Sequence, residues 1–430
     1  MARERQVLLR GGTVVGATGA RRADILVKGE VVAEVGDAIG PPAGAVVLDA
    51  EGCFVGPGLV DLHAHLREPG AEEAETIETG ARAAALGGYT AVVAMPNTDP
   101  PADCAAVVRQ VIELAKGACC EVRPAGAITV GRRGTSLAPM AEMAALGVRI
   151  FTDDGAGVQD ASIMRRALEY ASALGVVIAD HCEEELLAGN GCINEGAISS
   201  LLGLPGRPAV SEEVMVLRDI ALARLTGARL HLLHLSAAAS VAAVRTAKAA
   251  GVPVTAEVTP HHLALTEEAL RGYGTVWKVN PPLRTEADVA ALRAGLPDGT
   301  VDAIATDHAP HPPEAKDVDI CAAAPGMIGL ETAMAVCLTE LDVPVTKLFE
   351  LMSWGPARIA GLYPAHGGPV APGTPANLCA VDPGREWVVQ PERLASRSRN
   401  TGFAGRALKG KVRHTVFAGE PVVVDEEAQR

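Results

Sequence analysis

Between residues 59 and 308 the chain alternates eight times between a short apolar run and a longer polar or Ala-rich stretch, and this rhythm restricts the fold more than any other feature. The runs are LVDLHAHL (59–66), TAVVAMP (90–96), EVRPAGAITV (121–130), VRIFTDD (148–154), VVIADH (176–181), RLHLLHL (229–235), PVTAEVT (253–259) and DAIATDH (302–308). Between them lie amphipathic segments such as TIETGARAAALGG and DASIMRRALEYASALG. Strands of a parallel sheet covered on both faces read as apolar runs, and their crossovers are helices. Eight such units predict a (β/α)8 TIM-like barrel, with a doubly wound open sheet as the alternative. The 430 residues exceed the roughly 250 of a simple barrel. Both ends read as short strands joined by turns: QVLLRGGTVV and ADILVKGEVVAEVG at the start, REWVVQ and GKVRHTVFAGEPVV at the end. The expectation is an α/β chain with a barrel over 57–366 and a small β-sandwich built from 1–56 and 367–430.

Composition narrows the function. Aromatics are only 3% of the residues, so the core must be built from small and branched aliphatic side chains. A net charge of −14 argues against a nucleic-acid surface, which needs an excess of Lys and Arg. No apolar run approaches the roughly 20 residues that span a bilayer, and MARERQVLLRGGTVVG lacks the apolar core of a secretory signal. The nine cysteines follow no disulfide framework. Free thiols in a reducing cytoplasm are the expectation.

In a barrel of this kind chemistry sits at the C-terminal ends of the strands, and the unusual residues fall there. The stretch GPGLVDLHAHLREPG (56–70) carries Asp61, His63, His65 and Arg67 on alternate positions, and in a strand such positions share a face. Four polar groups on one face of an apolar strand are costly unless something binds them. Asn97, Asp153, Asp154, His181, His234, Asp307 and His311 follow at other strand ends. One such histidine is ordinarily a hydrogen-bonded core residue; imidazoles and carboxylates from several strands at one rim are not so easily explained. Neutral imidazole suits zinc, so His63 and His65 can hold one ion, and His181 with His234 a second. Two adjacent cations repel, so Asp153 or Asp154 has to supply a bridging anion; Asp153 is the choice, and Asp154 otherwise reads as a loop-capping or solvent-facing carboxylate. Asp307 can ligate and also move a proton to a leaving nitrogen, which makes it the catalytic candidate.

The segments DLHAHLREPG, AMPNTDP, FTDDG, ADHCEE, HLLHLS, EVTPHHL, KVNPPLR, ATDHAPH and GLET resemble, in order, those of class I dihydroorotases of the amidohydrolase superfamily. The resemblance covers about 57–360. His-x-His is shared across the superfamily, whereas HLREPG with MPNT and ATDHAPH is specific. It implies reversible hydrolysis of the cyclic amide of L-dihydroorotate to N-carbamoyl-L-aspartate in pyrimidine synthesis. It also implies two Zn2+ ions per subunit, held by His63, His65, Asp153, His181, His234 and Asp307. Arg67 would pair with the substrate carboxylate, helped by Asn97 and His311, and Asn280 would contact the ring. Asp61 is either a hydrogen-bond partner of a ligand or a structural carboxylate. Implied partners are the small-molecule substrate, a second copy in a homodimer, and aspartate carbamoyltransferase.

Two departures stand out. The superfamily's strand-4 lysine is absent, and AAAPGMIGLET replaces the usual Ala-Pro-Phe-Gly text, which bears on the contacts of Pro325 and Gly326. Segment 309–326 is long, rich in Pro and Ala, and expected to form a lid. The rival readings are a hydantoinase or allantoinase, which would usually use the missing lysine, and a non-catalytic scaffold for the transferase, which would be expected to have lost ligands.

Overall fold

The computed structural model describes residues 5–430; the first four residues of the expected β unit lie outside the described part. Eight parallel strands follow the rhythm of the sequence: β1 (Leu59–Ala64), β2 (Tyr89–Ala94), β3 (Glu121–Pro124), β4 (Ile150–Phe151), β5 (Val177–Asp180), β6 (Leu230–Leu232), β7 (Val254–Val258) and β8 (Ala303–Ile304). They pair in two arcs, β3-β2-β1 and β4-β5-β6-β7-β8. Single bridges close the ring: Gly126 with Phe151 joins the third and fourth strands, and Ala64 with His308 joins the first and eighth.

The interior is filled by side chains small enough to meet across a narrow barrel. Val60, Leu62, Ala91, Val93, Ala125, Ile150, Val177, Ala179, Ala303 and Ala305 form one buried cluster. A larger shell packs the outer strand faces against the helices, with Val92, Phe151, Ile178 and Leu230 meeting Ala81, Val108, Leu168 and Val244. Helix Ala161–Leu174 shows how local sequence sets an element. Asp160 caps its free backbone N–H groups at Ser162 (2.7 Å) and Ile163, and its Met164, Ala167, Leu168 and Ala171 stripe is buried.

Several expected strands are shorter in space than in sequence. The run 148–154 contributes only Ile150–Phe151 to the ladder, and 302–308 only Ala303–Ile304. Their remaining residues leave the sheet and become the rim on which the polar side chains sit. A short parallel pair, Ile193–Asn194 with Gly206–Arg207, stands outside the barrel between β5 and helix Val210–Thr226 and was not evident in the sequence pattern.

The two chain ends meet in one β unit. A seven-stranded sheet places Phe54–Pro57 between Leu378–Val388 and Thr13–Gly16, and a four-stranded sheet centres on Asp24–Lys28 and Gln6–Arg10. Val7, Leu9, Ile25, Val27, Val55, Leu378, Ala380 and Val416 form their shared core. Strand Phe54–Pro57 runs almost directly into β1, so the β unit is tied to the strand that carries His63. The junction requires Gly58, because any β-carbon there would run into the Thr90 side chain. Gly58→Val should therefore destabilise the fold by about 1–3 kcal/mol, the usual cost of overpacking. Thermal unfolding should show a lowered midpoint; an unchanged midpoint would mean that the junction is not tightly packed.

Candidate active site

The C-terminal rim gathers two carboxylates and four imidazoles. Asp154, just past β4, is buried and lies between two ligand groups. On one side are His63 Nε2 at 3.4 Å and His65 Nε2 at 3.5 Å; on the other are His181 Nδ1 and His234 Nε2, each at 3.6 Å. Within each group of three the donor atoms lie within 4.8 Å of one another. Asp307 adds an oxygen 3.1 Å from His65 Nε2 and 3.5 Å from His63 Nε2. Burial opposes ionisation of Asp154, but the surrounding imidazoles outweigh it and hold this carboxyl well below the usual range. Asp307 is likewise held down, mainly by His63 and His65 against the effect of burial.

The expected role of Asp153 needs correction. Its carboxylate turns away from the imidazoles and accepts backbone N–H bonds from Ile128 (2.8 Å) and Thr129 (3.0 Å), together with the Thr129 hydroxyl. It fastens the segment after β3 to the segment after β4. The free N–H groups at 128–129 decide which of the two neighbouring carboxylates is taken up structurally. Asp154, expected to be the bland neighbour, is the one at the centre.

Residues not singled out from sequence hold this cluster in place. Glu257, fully buried on β7, accepts from His63 Nδ1 at 2.9 Å and His231 Nε2 at 3.0 Å, which turns the other nitrogen of His63 toward Asp154. A carboxylate inside the apolar run VTAEV was the available signal, of the same kind as Asp61. Asp61 itself binds Thr306, through the backbone N–H at 2.9 Å and the hydroxyl, and so pins β1 to the end of β8. Arg132 donates to the carbonyl of Asp154. Arg207 donates to Glu183 (2.9 Å), to the Gly191 carbonyl (2.9 Å) and to the Asn280 side chain, whose amide nitrogen lies 3.2 Å from His181 Nε2.

A cavity of about 180 Å³ opens above the cluster. It is lined by His65, Arg67, Asn97, Asp154, Gly155, His181, His234, Asn280, Asp307, Ala309, His311, Pro325 and Gly326. The expected substrate residues Arg67, Asn97, Asn280, His311, Pro325 and Gly326 thus share one wall system. Arg67 does not arrive there by strand alternation, because β1 ends at Ala64 and Arg67 has a left-handed φ of 61°. A turn presents it, held by the Pro310 carbonyl at 3.1 Å, with His311 Nε2 at 3.4 Å from its guanidinium. His311 in turn binds the Pro325 carbonyl at 2.8 Å. Gly326 has φ +131°, and a β-carbon there would press on Ala309 and His311, so the altered AAAPG text still needs glycine at this point.

The donor set fits divalent cations. The Nε2 atom of His63 is buried without a hydrogen-bond partner, directed at the same point as His65 and Asp154. Such an orphan is costly unless a ligand satisfies it. Asp154→Ala should lower the metal content of the purified protein, whereas Asp153→Asn should leave it near the wild-type level while loosening the loop. Metal analysis on matched preparations checks this, and the reverse order of the two variants would contradict the assignment of Asp154.

Known proteins resemble this chain over nearly its whole length. A family profile described as Dihydro-orotase-like matches residues 52–240. A dihydroorotase from Streptomyces coelicolor is 51% identical over 98% of this chain and 99% of its own length. One from Anaeromyxobacter dehalogenans is 49% identical over 99% of each chain. Among solved structures, L-hydantoinase from Arthrobacter aurescens superposes with a TM-score of 0.89, at 25% identity, over 99% of this chain and 97% of its own.

Proposed function

The chain belongs to the dihydroorotase family, and on that premise we propose that its cavity hydrolyses the ring amide of L-dihydroorotate, reversibly, to N-carbamoyl-L-aspartate. The observation that carries this reading is the opposition of two charge types across one small cavity. Arg67 stands on one wall, and Asp154, Asp307, His65, His181 and His234 form the floor, with His63 buried behind them. A ring bearing both a carboxylate and a cyclic amide matches that pair of features.

In this proposal His63, His65, His181, His234, Asp154 and Asp307 would hold two zinc ions, Asp154 being common to both groups of donors. Cations held there would supply Lewis acidity toward the amide carbonyl and toward water. The protein's own residues do the rest. Arg67 offers parallel N–H donors to the substrate carboxylate, a geometry that lysine could not reproduce. His311, Asn97 and Asn280 border the same space and set which face of the ring meets the floor. Glu257 keeps His63 in the tautomer that leaves Nε2 free. Asp307 takes the proton from the attacking water and delivers it to the amide nitrogen as the C–N bond breaks. In the reverse direction Asp307 protonates the departing hydroxyl.

The reading is that of a class I enzyme. It carries with it a homodimer, association with aspartate carbamoyltransferase and a cytoplasmic location; among the described residues no helix is long and apolar enough to cross a membrane. A hydantoinase reading has the fold likeness to L-hydantoinase in its favour. An unsubstituted hydantoin ring has no carboxylate to occupy Arg67, and the full-length identities favour dihydroorotate.

Two variants separate recognition from chemistry. Arg67→Met should retain the wild-type metal content and raise KM for dihydroorotate steeply, by about 10²-fold or more if roughly 3 kcal/mol of charge-assisted bonding is lost. An unchanged KM would remove Arg67 from the substrate site. Asp307→Asn keeps one ligating oxygen but cannot carry the proton, so turnover should fall about 10²–10⁴-fold. Steady-state kinetics on metal-assayed samples check both, and a fully metallated Asp307→Asn protein at near wild-type turnover would place the proton carrier elsewhere.

A further inference from the structure

The loop that brings His311, Pro325 and Gly326 to the cavity also brings two cysteines together. Cys192 immediately precedes the short outer strand pair and is buried, while Cys321 lies exposed within the loop. They are 129 positions apart in sequence, yet their Sγ atoms are 2.7 Å apart, closer than unbonded sulfurs settle and not far from the roughly 2.05 Å of a disulfide. The approach is built by both segments. Ile320 packs with Cys192, Ile193, Ile198 and Leu270 in a small buried cluster. Asp319 holds the turn by accepting from the Cys321 N–H at 2.9 Å.

We propose that Cys192 and Cys321 form a reversible disulfide that fastens the 311–326 loop to the outer strand pair and thereby restrains the wall of the cavity. The connection from the sulfurs to the cavity is short. Lys278 donates to the Cys321 carbonyl at 2.8 Å, and the Lys278 carbonyl accepts from the Gly326 N–H at 2.8 Å. Two residues on, Asn280 touches His181. Across the pair, the Gly191 carbonyl beside Cys192 accepts from Arg207, which also holds Asn280. A bond between the sulfurs therefore closes a ring of contacts around one side of the cavity.

Exposure makes Cys321 the first sulfur to react, and burial pushes the Cys192 thiol up to about 12, so it is the slower, resolving partner. The oxidant is a small-molecule disulfide. The Cys321 thiolate attacks one of its sulfurs, forming a mixed disulfide and releasing one small thiolate. Cys192, losing its proton to solvent, then attacks Cys321 and expels the second. The protein dithiol is oxidised by two electrons, the small disulfide is reduced to two thiols, and a dithiol reductant reverses the change.

The test treats the metallated protein with glutathione disulfide. Peptide mapping without reduction should show Cys192 joined to Cys321, and amide hydrogen exchange over 312–324 should slow by about fivefold or more. Turnover should fall by about threefold or more as the loop loses freedom to admit and release ligand, and dithiothreitol should restore both. Cys321→Ser, a conservative change at an exposed position, should match the reduced wild type and show no response. Failure to recover the Cys192–Cys321 peptide overturns the proposal. So does a bond that forms while exchange and turnover both stay at their reduced values. The mapping and the exchange do not depend on which substrate the cavity takes, so they stand apart from the dihydroorotase reading.

Discussion

The structure turns on one buried carboxylate. An ionised Asp154 with no partners would cost several kcal/mol in the interior of the rim. It is tolerated because β1, β5 and β6 each deliver imidazole to it, and because Asp153 takes up the backbone donors that would otherwise compete for the same turn. The barrel supplies these directions. Its strands are short, its interior is filled by Ala and Val, and its C-terminal ends lie close enough for side chains from four strands to share one centre. Asp61 and Glu257 act as struts within it, one joining β1 to the end of β8 and the other fixing the ring of His63.

The barrel was legible because parallel strands covered by helices leave a strong apolar rhythm, and the terminal β unit because both ends carry turn-rich strand patterns. The rim was legible as a set of unusual residues at strand ends. What the sequence could not decide was local direction. Asp153 and Asp154 are neighbours of the same type, and only the free N–H groups at Ile128 and Thr129, remote in sequence, choose between them. Alternation was a sound guide to His63 but not to Arg67, since the chain leaves the strand at Ala64 and reaches the cavity through a left-handed turn. Glu257 was passed over although a lone acid in an apolar strand carries the same message as Asp61. The nearness of Cys192 and Cys321 depends on how a loop and an outer strand pair dock, and no sequence spacing encodes it.

L-hydantoinase shares the same scaffold. In the proposed reading the floor of the cavity, once metallated, is suited to attack on an amide carbonyl in general, and selectivity comes from the walls: Arg67 on its turn, and His311, Pro325 and Gly326 on the loop. Those walls are held by backbone carbonyls, by Lys278 and by Arg207 rather than by the barrel ladder. In that reading recognition is separable from the machinery that breaks the bond.

The most direct measurement is hydrolysis by the purified, metal-loaded wild-type protein of L-dihydroorotate and of unsubstituted hydantoin, compared as kcat/KM. Both rings present a cyclic amide to the floor, but only dihydroorotate offers a carboxylate to Arg67. Preference for dihydroorotate by about 10²-fold or more is the expected result, because a site built around a charged partner discriminates strongly against a ligand that leaves it unpaired. Comparable values for the two rings, or faster hydrolysis of hydantoin, would contradict the account.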